Sequence, residues 1–290
     1  MMPPMRSVFC LVSVLAVIGL AAGSACAPAD NTSSGPAPAE QCSKDSLTTL
    51  TKGTITFGTD QPAYPPWFID DDPANGKGFE SAVVYAIADK LGFVKKDVVW
   101  VRSSFNEGIA PGPKNYDVNI QQYSITDDRK KKVDFSSAYY ATPQAVITIK
   151  GSKADGVDSL AGLKSLLIGA ATGTTSFDSI EKVLKPTAGA QAFNSNDDAV
   201  LALKSGQVDA LVVDLPTAFY LTGAELDNGV LLGQLPAGDG VSDQWGLVLT
   251  KGSPLTSKVS AAIDALKSDG TLDSITSKWL GADAGAPVLK

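Results

Sequence analysis

The side chains suited to holding a charged small molecule fall at four places, each after a strand-like run. Asp60 ends the run Thr54–Asp60, with Tyr64, Pro65, Pro66 and Trp67 just beyond it. Asp117–Tyr123 leads into Ser124-Ile-Thr-Asp-Asp-Arg129, which puts Arg129 in the first turn of the next helix. Leu166–Ala171 runs into Thr172-Gly-Thr-Thr175 at a helix start, and Val208–Asp214 ends on a carboxylate. In open α/β sheets ligands sit at the carboxyl ends of the strands, where these residues lie. Arg129 offers a planar, two-pronged donor for a carboxylate, which a lysine cannot match. Thr174 and Thr175, with the backbone N–H groups of a helix start, suit the same anion. Asp214 supplies the counter-charge for an ammonium, and Tyr64 and Trp67 an apolar or cation–π wall. Burying a zwitterion is costly unless each charge is paired, so opposite charges are needed together. Each residue also has a plainer reading taken singly: a solvated helix-start Arg, a turn with its N-cap, a capping Asp, a packed loop.

The elements around these residues alternate in type. Phe79–Leu91 carries Val83, Val84, Ile87 and Leu91 at helical spacing, between the strand-like runs Thr54–Thr59 and Asp97–Arg102. The pattern returns with a helix over about Ser176–Leu184. A second follows, capped by Ser195 and running to Lys204, and a third starts near Pro216. Trp245–Thr250 reads as a strand, followed by helices over Leu255–Ser268 and Thr271–Trp279. This βαβ rhythm predicts mainly parallel sheets with helices on their faces. Tyr140–Lys150 and Gln244–Lys251 are long extended stretches, whose use as crossings between two lobes periodicity alone does not give.

The N-terminus reads as an address rather than fold. Arg6 precedes an apolar run from Val8 to about Ala22, shorter than the roughly 20 residues of a membrane span but suited to a signal peptide. Ala21-Ala-Gly-Ser-Ala-Cys26 resembles a lipobox, with Cys26 as the lipid-anchored residue, although Gly23 stands where Leu is usual. The Pro/Ser/Gly-rich stretch from Ala27 to about Gln41 has no large apolar residue and reads as a flexible tether. Cys10 falls in the signal peptide, and Cys42 is left at the edge of the fold without a partner if Cys26 carries lipid. A net charge of −7 argues against nucleic acid, and the absence of histidine argues against histidine catalysis and histidine metal sites. No cofactor and no metal are expected.

The ordered set of segments is identified with a known family. Thr54-Ile-Thr-Phe-Gly-Thr-Asp60 with Tyr64-Pro-Pro-Trp67, Gly78-Phe-Glu80 and Ser124-Ile-Thr-Asp-Asp-Arg129 come first. Val133-Asp-Phe-Ser136, Gly169–Thr175, Val208–Asp214, Asp269-Gly-Thr-Leu272 and Lys278-Trp-Leu-Gly281 follow. Together they resemble the polar amino-acid, or family 3, solute-binding proteins of ABC transporters over nearly the whole mature chain. The resemblance implies a two-lobed periplasmic-binding-protein fold of type II, each lobe a mainly parallel sheet flanked by helices. It implies a signal peptide over 1–25, a tether over 26–44, a first lobe over 45–145, a second over 146–243, and completion of the first over 244–290. Arg129 would hold an α-carboxylate with Ser124 and Thr174 or Thr175, and Asp214 the α-ammonium. Asp60, Tyr64, Trp67, Glu80 and Gln121 would line the side-chain end or lie near it. The chain departs from the family at Glu80 and Ala82, where acidic Asp residues are usual. It departs again at Gln121-Gln122-Tyr123, where small residues are common.

The expectation is therefore a lipid-anchored, extracytoplasmic, monomeric binding protein that closes on a free amino acid and delivers it to an ABC permease. Two rivals are a sensor module for a membrane receptor and a dehydratase-like enzyme on the same fold. Neither a membrane helix nor a positioned acid–base pair supports them in the sequence.

Overall fold

The computed structural model describes residues 44–236, 242–281 and 286–290. The signal peptide, Cys10, the Cys26 anchor, the tether and Cys42 lie outside the described residues. No helix among the described residues is long and apolar enough to cross a membrane.

The first half contributes β1 (Ile55–Thr59), α1 (Phe79–Lys90), β2 (Val98–Arg102), α2 (Phe105–Ile109), β3 (Val118–Asn119), α3 (Asp127–Lys130) and β4 (Val133–Thr142). The chain then gives β5 (Gln144–Ile149), α4 (Leu160–Leu163), β6 (Ile168–Ala171) and α5 (Thr175–Ser179). Next come β7 (Ala190–Phe193), α6 (Asn196–Lys204), β8 (Ala210–Asp214), α7 (Leu215–Tyr220) and β9 (Gly229–Gln234). β10 (Asp243–Thr250), α8 (Thr256–Ser268) and α9 (Thr271–Leu280) complete the order.

These strands form two five-stranded sheets, β2-β1-β3-β10-β4 and β7-β6-β8-β5-β9, each the core of one lobe. β1 is parallel to β2 and β3, while β10 runs against β3 and β4. In the second sheet β6 is parallel to β7 and β8, while β5 runs against β8 and β9. Each sheet thus has four strands pointing one way and one reversed. The reversed strand is in both cases the first after a crossing from the other lobe.

Burial explains the strand composition. β1 is buried along its whole length, as a central strand covered on both faces must be. In the second lobe Ala145, Ile147, Leu211 and Val213 enter one apolar cluster, while Val146, Ala210 and Val212 enter the cluster on the opposite face. In the first lobe α1 and α8 contribute Val83, Val84, Ile87, Val259 and Ile263 to a core centred on Phe57, Phe79 and Trp245. The expected Ser195 cap forms, its side chain accepting from Asp198 N; Thr126 caps α3 in the same way, accepting from Arg129 N.

Three elements differ from expectation. The run 117–123 yields only a two-residue strand, because Gln122 takes a positive φ of 49° that breaks the ladder. Gln244–Lys251 is not a crossing but falls largely in β10, an interior strand of the first sheet; the chain passes between lobes just before it. The last residues do not stay with the first lobe. Val288 bridges Gln234, Leu160 N donates to Lys290 O, and Leu289 is buried in the second lobe's core. Its apolar side chain fills a place beside Leu163 and Leu235 that no local residue covers.

Deleting residues 286–290 should therefore destabilise the second lobe by about 2–3 kcal/mol, the worth of one buried Leu plus its edge hydrogen bonds. Denaturant midpoints of the two chains would show it, and an unchanged midpoint would refute it.

Candidate functional site

Between the lobes lies a cleft of about 600 Å³, within the range of small-molecule sites. Asp60, Tyr64, Trp67, Gln121, Ser124 and Arg129 line it from the first lobe; Thr174, Thr175 and Asp214 line it from the second. Of the residues expected at the site, Glu80 alone is absent from the lining.

Arg129 is held by its element and by both lobes. Thr126 caps the short helix α3, and the guanidinium lies over the Phe105 ring, 5.4 Å from its centre. Its Nη1 donates to Ser124 O at 2.6 Å, and its Nη2 crosses the cleft to Gly173 O at 2.8 Å. The residue is only 8% exposed yet makes no salt bridge among the described residues. Burial pulls its pKa below the usual value, partly offset by the nearby Asp214 carboxylate.

Asp214 ends β8, two residues before Pro216, but its carboxylate makes no capping bond. It accepts instead from Gln144 Nε2 at 2.6 Å. Burial first, and the Asp243 carboxylate second, push its pKa up to about 7. Gln144 Nε2 also donates to Asp243 Oδ2 at 2.8 Å, and Ser176 Oγ donates to Gln144 Oε1 at 2.7 Å. Ser124 Oγ lies 3.0 Å from Thr175 Oγ1 and 3.3 Å from Asp243 Oδ2, which joins the lobes again. Thr174 contributes less than expected. Its hydroxyl donates to Ala171 O and accepts from Phe177 N, so it is committed to capping α5.

The other end of the cleft is acidic and aromatic. Tyr64 OH donates to Asp197 Oδ2 across the cleft at 2.6 Å, and its ring centre lies 6.4 Å from that of Tyr220. Tyr220 OH donates to Glu225 Oε1 at 2.5 Å. Asp60 accepts from Gln61 N, and burial raises its pKa, with Asp197 adding to the rise. Gln121 is 4% exposed; its Nε2 donates to Ser103 O and Asn119 Oδ1, while its Oε1 has no partner.

Two of the expected site residues are largely engaged within the first lobe. Glu80 is fully buried behind the first sheet. It accepts from Tyr139 OH, from Gln122 N at 2.9 Å and from Gln122 Nε2. Burial raises its pKa to about 7, against the lowering effect of these three bonds. Its carboxylate thereby holds Gln122 in its positive-φ conformation, which costs roughly 1–2 kcal/mol for a residue with a Cβ. That kink turns the chain so that Ser124 can bridge Trp245 at the cleft edge. Trp67 does reach the cleft, but at 5% exposure it is chiefly core, packed edge-on against Phe79 and Trp245.

Gln144, Asp243, Asp197, Tyr220 and Glu225 were not among the expected residues. Gln144 and Asp243 are the first residues of the two reversed strands; neither lines the cleft, but Gln144 holds Asp214 and Asp243 reaches Ser124, both lining residues. The signal for them is position: each opens an extended stretch that follows a crossing. Asp197 reads in sequence as an ordinary first-turn helix acid.

Residues 55–282 match the family described as bacterial extracellular solute-binding proteins, family 3, and the chain belongs to it. It is 33% identical to the ABC transporter glutamine-binding protein GlnH of Bacillus subtilis over 288 residues, covering 96% of this chain and 99% of that one. It is 30% identical to the L-arginine-binding protein of Pseudomonas aeruginosa over 243 residues, 79% of this chain and 91% of that one. Among solved structures, an ancestral arginine-binding protein bound to glutamine superposes with a TM-score of 0.65 at 33% identity, covering 80% of this chain and all of that one. The two sheets with their flanking helices are the type II two-lobed fold of periplasmic binding proteins.

Glu80→Ala should orphan the buried Tyr139 hydroxyl and two part-buried donors of Gln122 and lower stability by about 2–4 kcal/mol. A denaturation midpoint within 0.5 kcal/mol of wild type, a roughly surface-like effect, would show that Glu80 does not hold the kink.

Proposed function

We propose that this protein is the extracytoplasmic substrate-binding component of an ABC importer, and that its ligand is a free amino acid clasped between the lobes. The observation that carries this is a buried arginine and a shielded aspartate sharing one cleft without an ion pair to any described side chain. Uncompensated buried charges are costly, and a zwitterion compensates both at once. Arg129 takes the α-carboxylate with the Ser124 and Thr175 hydroxyls; Asp214 takes the α-ammonium. The acidic far end, with Asp60, Asp197 and Glu225 against Lys204, favours a cationic side chain over an acidic one.

Closure is the working motion, of the hinge type known for periplasmic binding proteins. The contacts Tyr64–Asp197, Ser124–Thr175 and Arg129–Gly173 all join opposite lobes, so they can form only when the cleft is shut. In this reading the closed form is the one that docks on the permease, and Cys26 tethers the protein to the outer face of the membrane. A catalytic role has less to rest on. The chain has no histidine, and the buried Glu80 carboxylate is engaged by three donors away from the cleft.

Titrating the chain with the twenty amino acids by thermal shift tests the assignment. A ligand at 100 times its Kd should add about 2.7 kcal/mol of stability, and Arg129→Ala should abolish the shift. A wild-type chain that no amino acid stabilises would sink the reading.

The pH dependence follows from Asp214. Its carboxyl titrates near pH 7 in the ligand-free cleft, so it is largely neutral at pH 6 and anionic at pH 8. A bound ammonium favours the anion and lowers that pKa, so binding releases a proton near neutrality and tightens as pH rises from 6 to 8. Calorimetry in buffers of different ionisation heat reads the proton directly; proton uptake would contradict the role given to Asp214.

A further inference from the structure

We propose that Asp243, just outside the cleft lining, completes the ammonium site electrostatically, so that an α-ammonium held by Asp214 sits in the field of a carboxylate from each lobe and its charge drives the hinge shut. The proposal rests on the amino-acid reading above and extends it to a residue outside the motif segments that identified the family.

The geometry begins at Gln144. Its amide nitrogen carries two hydrogens, and two carboxylates take them, Asp214 Oδ1 at 2.6 Å and Asp243 Oδ2 at 2.8 Å. Its amide oxygen is fixed by Ser176 Oγ at 2.7 Å, so the nitrogen is the end that faces the acids. Asp214 comes from the second lobe, at the end of β8, and Asp243 from the first, at the start of β10. Their shared neighbour is therefore placed where the two lobes meet. The amide satisfies hydrogen bonds but carries no charge, so two carboxyl groups share one neutral partner with no salt bridge to either among the described residues. The mutual repulsion is visible in Asp214, whose pKa Asp243 helps to raise.

Arg129 is a cation that feels both acids, and both help to hold its pKa up. Two of its donors are committed to the carbonyls of Ser124 and Gly173, so it attracts the acids from a distance without pairing with either. Tyr139 on β4 is the other titratable group that senses Asp214, and its pKa is far above the working range. An ammonium held by Asp214 in the cleft supplies the missing positive charge to both carboxylates. In the empty protein the same carboxylates repel each other and oppose closure. With the ammonium present they are drawn toward a common cation from opposite lobes. Closure then depends on the α-amino group rather than on the side chain alone.

The test uses the full chain, the amino acid that stabilises it most in the twenty-member panel, and the 2-hydroxy acid analogue of that ligand. Asp243→Asn keeps the shape and an oxygen acceptor for Gln144 but removes the charge. The variant is expected to bind the amino acid at least tenfold more weakly while binding the hydroxy acid as wild type does or more tightly, so that discrimination between the two collapses. Proton release on binding near pH 7 should fall as well, because Asp214 is no longer pushed up by a neighbouring anion. A merely structural role would weaken both ligands equally and leave the proton release unchanged, and that result overturns the proposal. Unaltered amino-acid affinity in Asp243→Asn also overturns it, while the amino-acid reading stands. Failure of every amino acid to stabilise the wild type removes both.

Discussion

The chain crosses between lobes at the cleft, and a strand that enters a sheet from its cleft end has to run against strands that finish there. This constraint accounts for the single reversed strand in each sheet, β5 in one and β10 in the other. It also decides what lines the cleft. Parallel strands deliver their last residues to it, such as Asp60 after β1 and Asp214 at the end of β8. Reversed strands bring their first residues, Gln144 and Asp243, up against that lining. The floor of the site is thus built from strand ends of both polarities, and residues from both lobes meet there within hydrogen-bonding distance.

The charges follow the same logic. A guanidinium buried among carbonyls and an aromatic ring, and a carboxylate tied to a neutral amide, are each satisfied for hydrogen bonds but not for charge. Pairing Arg129 with Asp214 directly would satisfy both and leave nothing for a ligand. In the proposed function, holding them apart with carbonyls and an amide keeps the cleft receptive to a molecule that carries both charges. The arrangement is costly while the cleft is empty, and that cost becomes binding energy when a zwitterion enters.

Much of what makes the site is not in it. Glu80 spends its buried carboxylate on Tyr139 and Gln122, and through Gln122 sets the bend that presents Ser124. Trp67 supports the loop that carries Tyr64 by packing on Trp245, itself wholly buried one strand away. The C-terminal residues close the far side of the second lobe after the chain has completed the first.

The two-lobed class was legible through the resemblance of the ordered segments to a known family. The sequence by itself determined the alternation of strands and helices, the capping of α6, and the placing of Arg129 in a first helical turn and of Asp214 at a strand end. Those properties depend on local periodicity, on turn chemistry and on which end of a strand a residue occupies, all of which are readable along the chain. Tertiary structure decided the rest. Glu80 stands in a ligand-facing motif position, yet the residues that claim it, Tyr139 and Gln122, are 59 and 42 positions away. The Gln144 and Asp243 side chains meet across 99 residues because two sheets place their reversed strands at one hinge. Contacts of that range are fixed by how the sheets stack and which way each strand runs, and no window of sequence contains them.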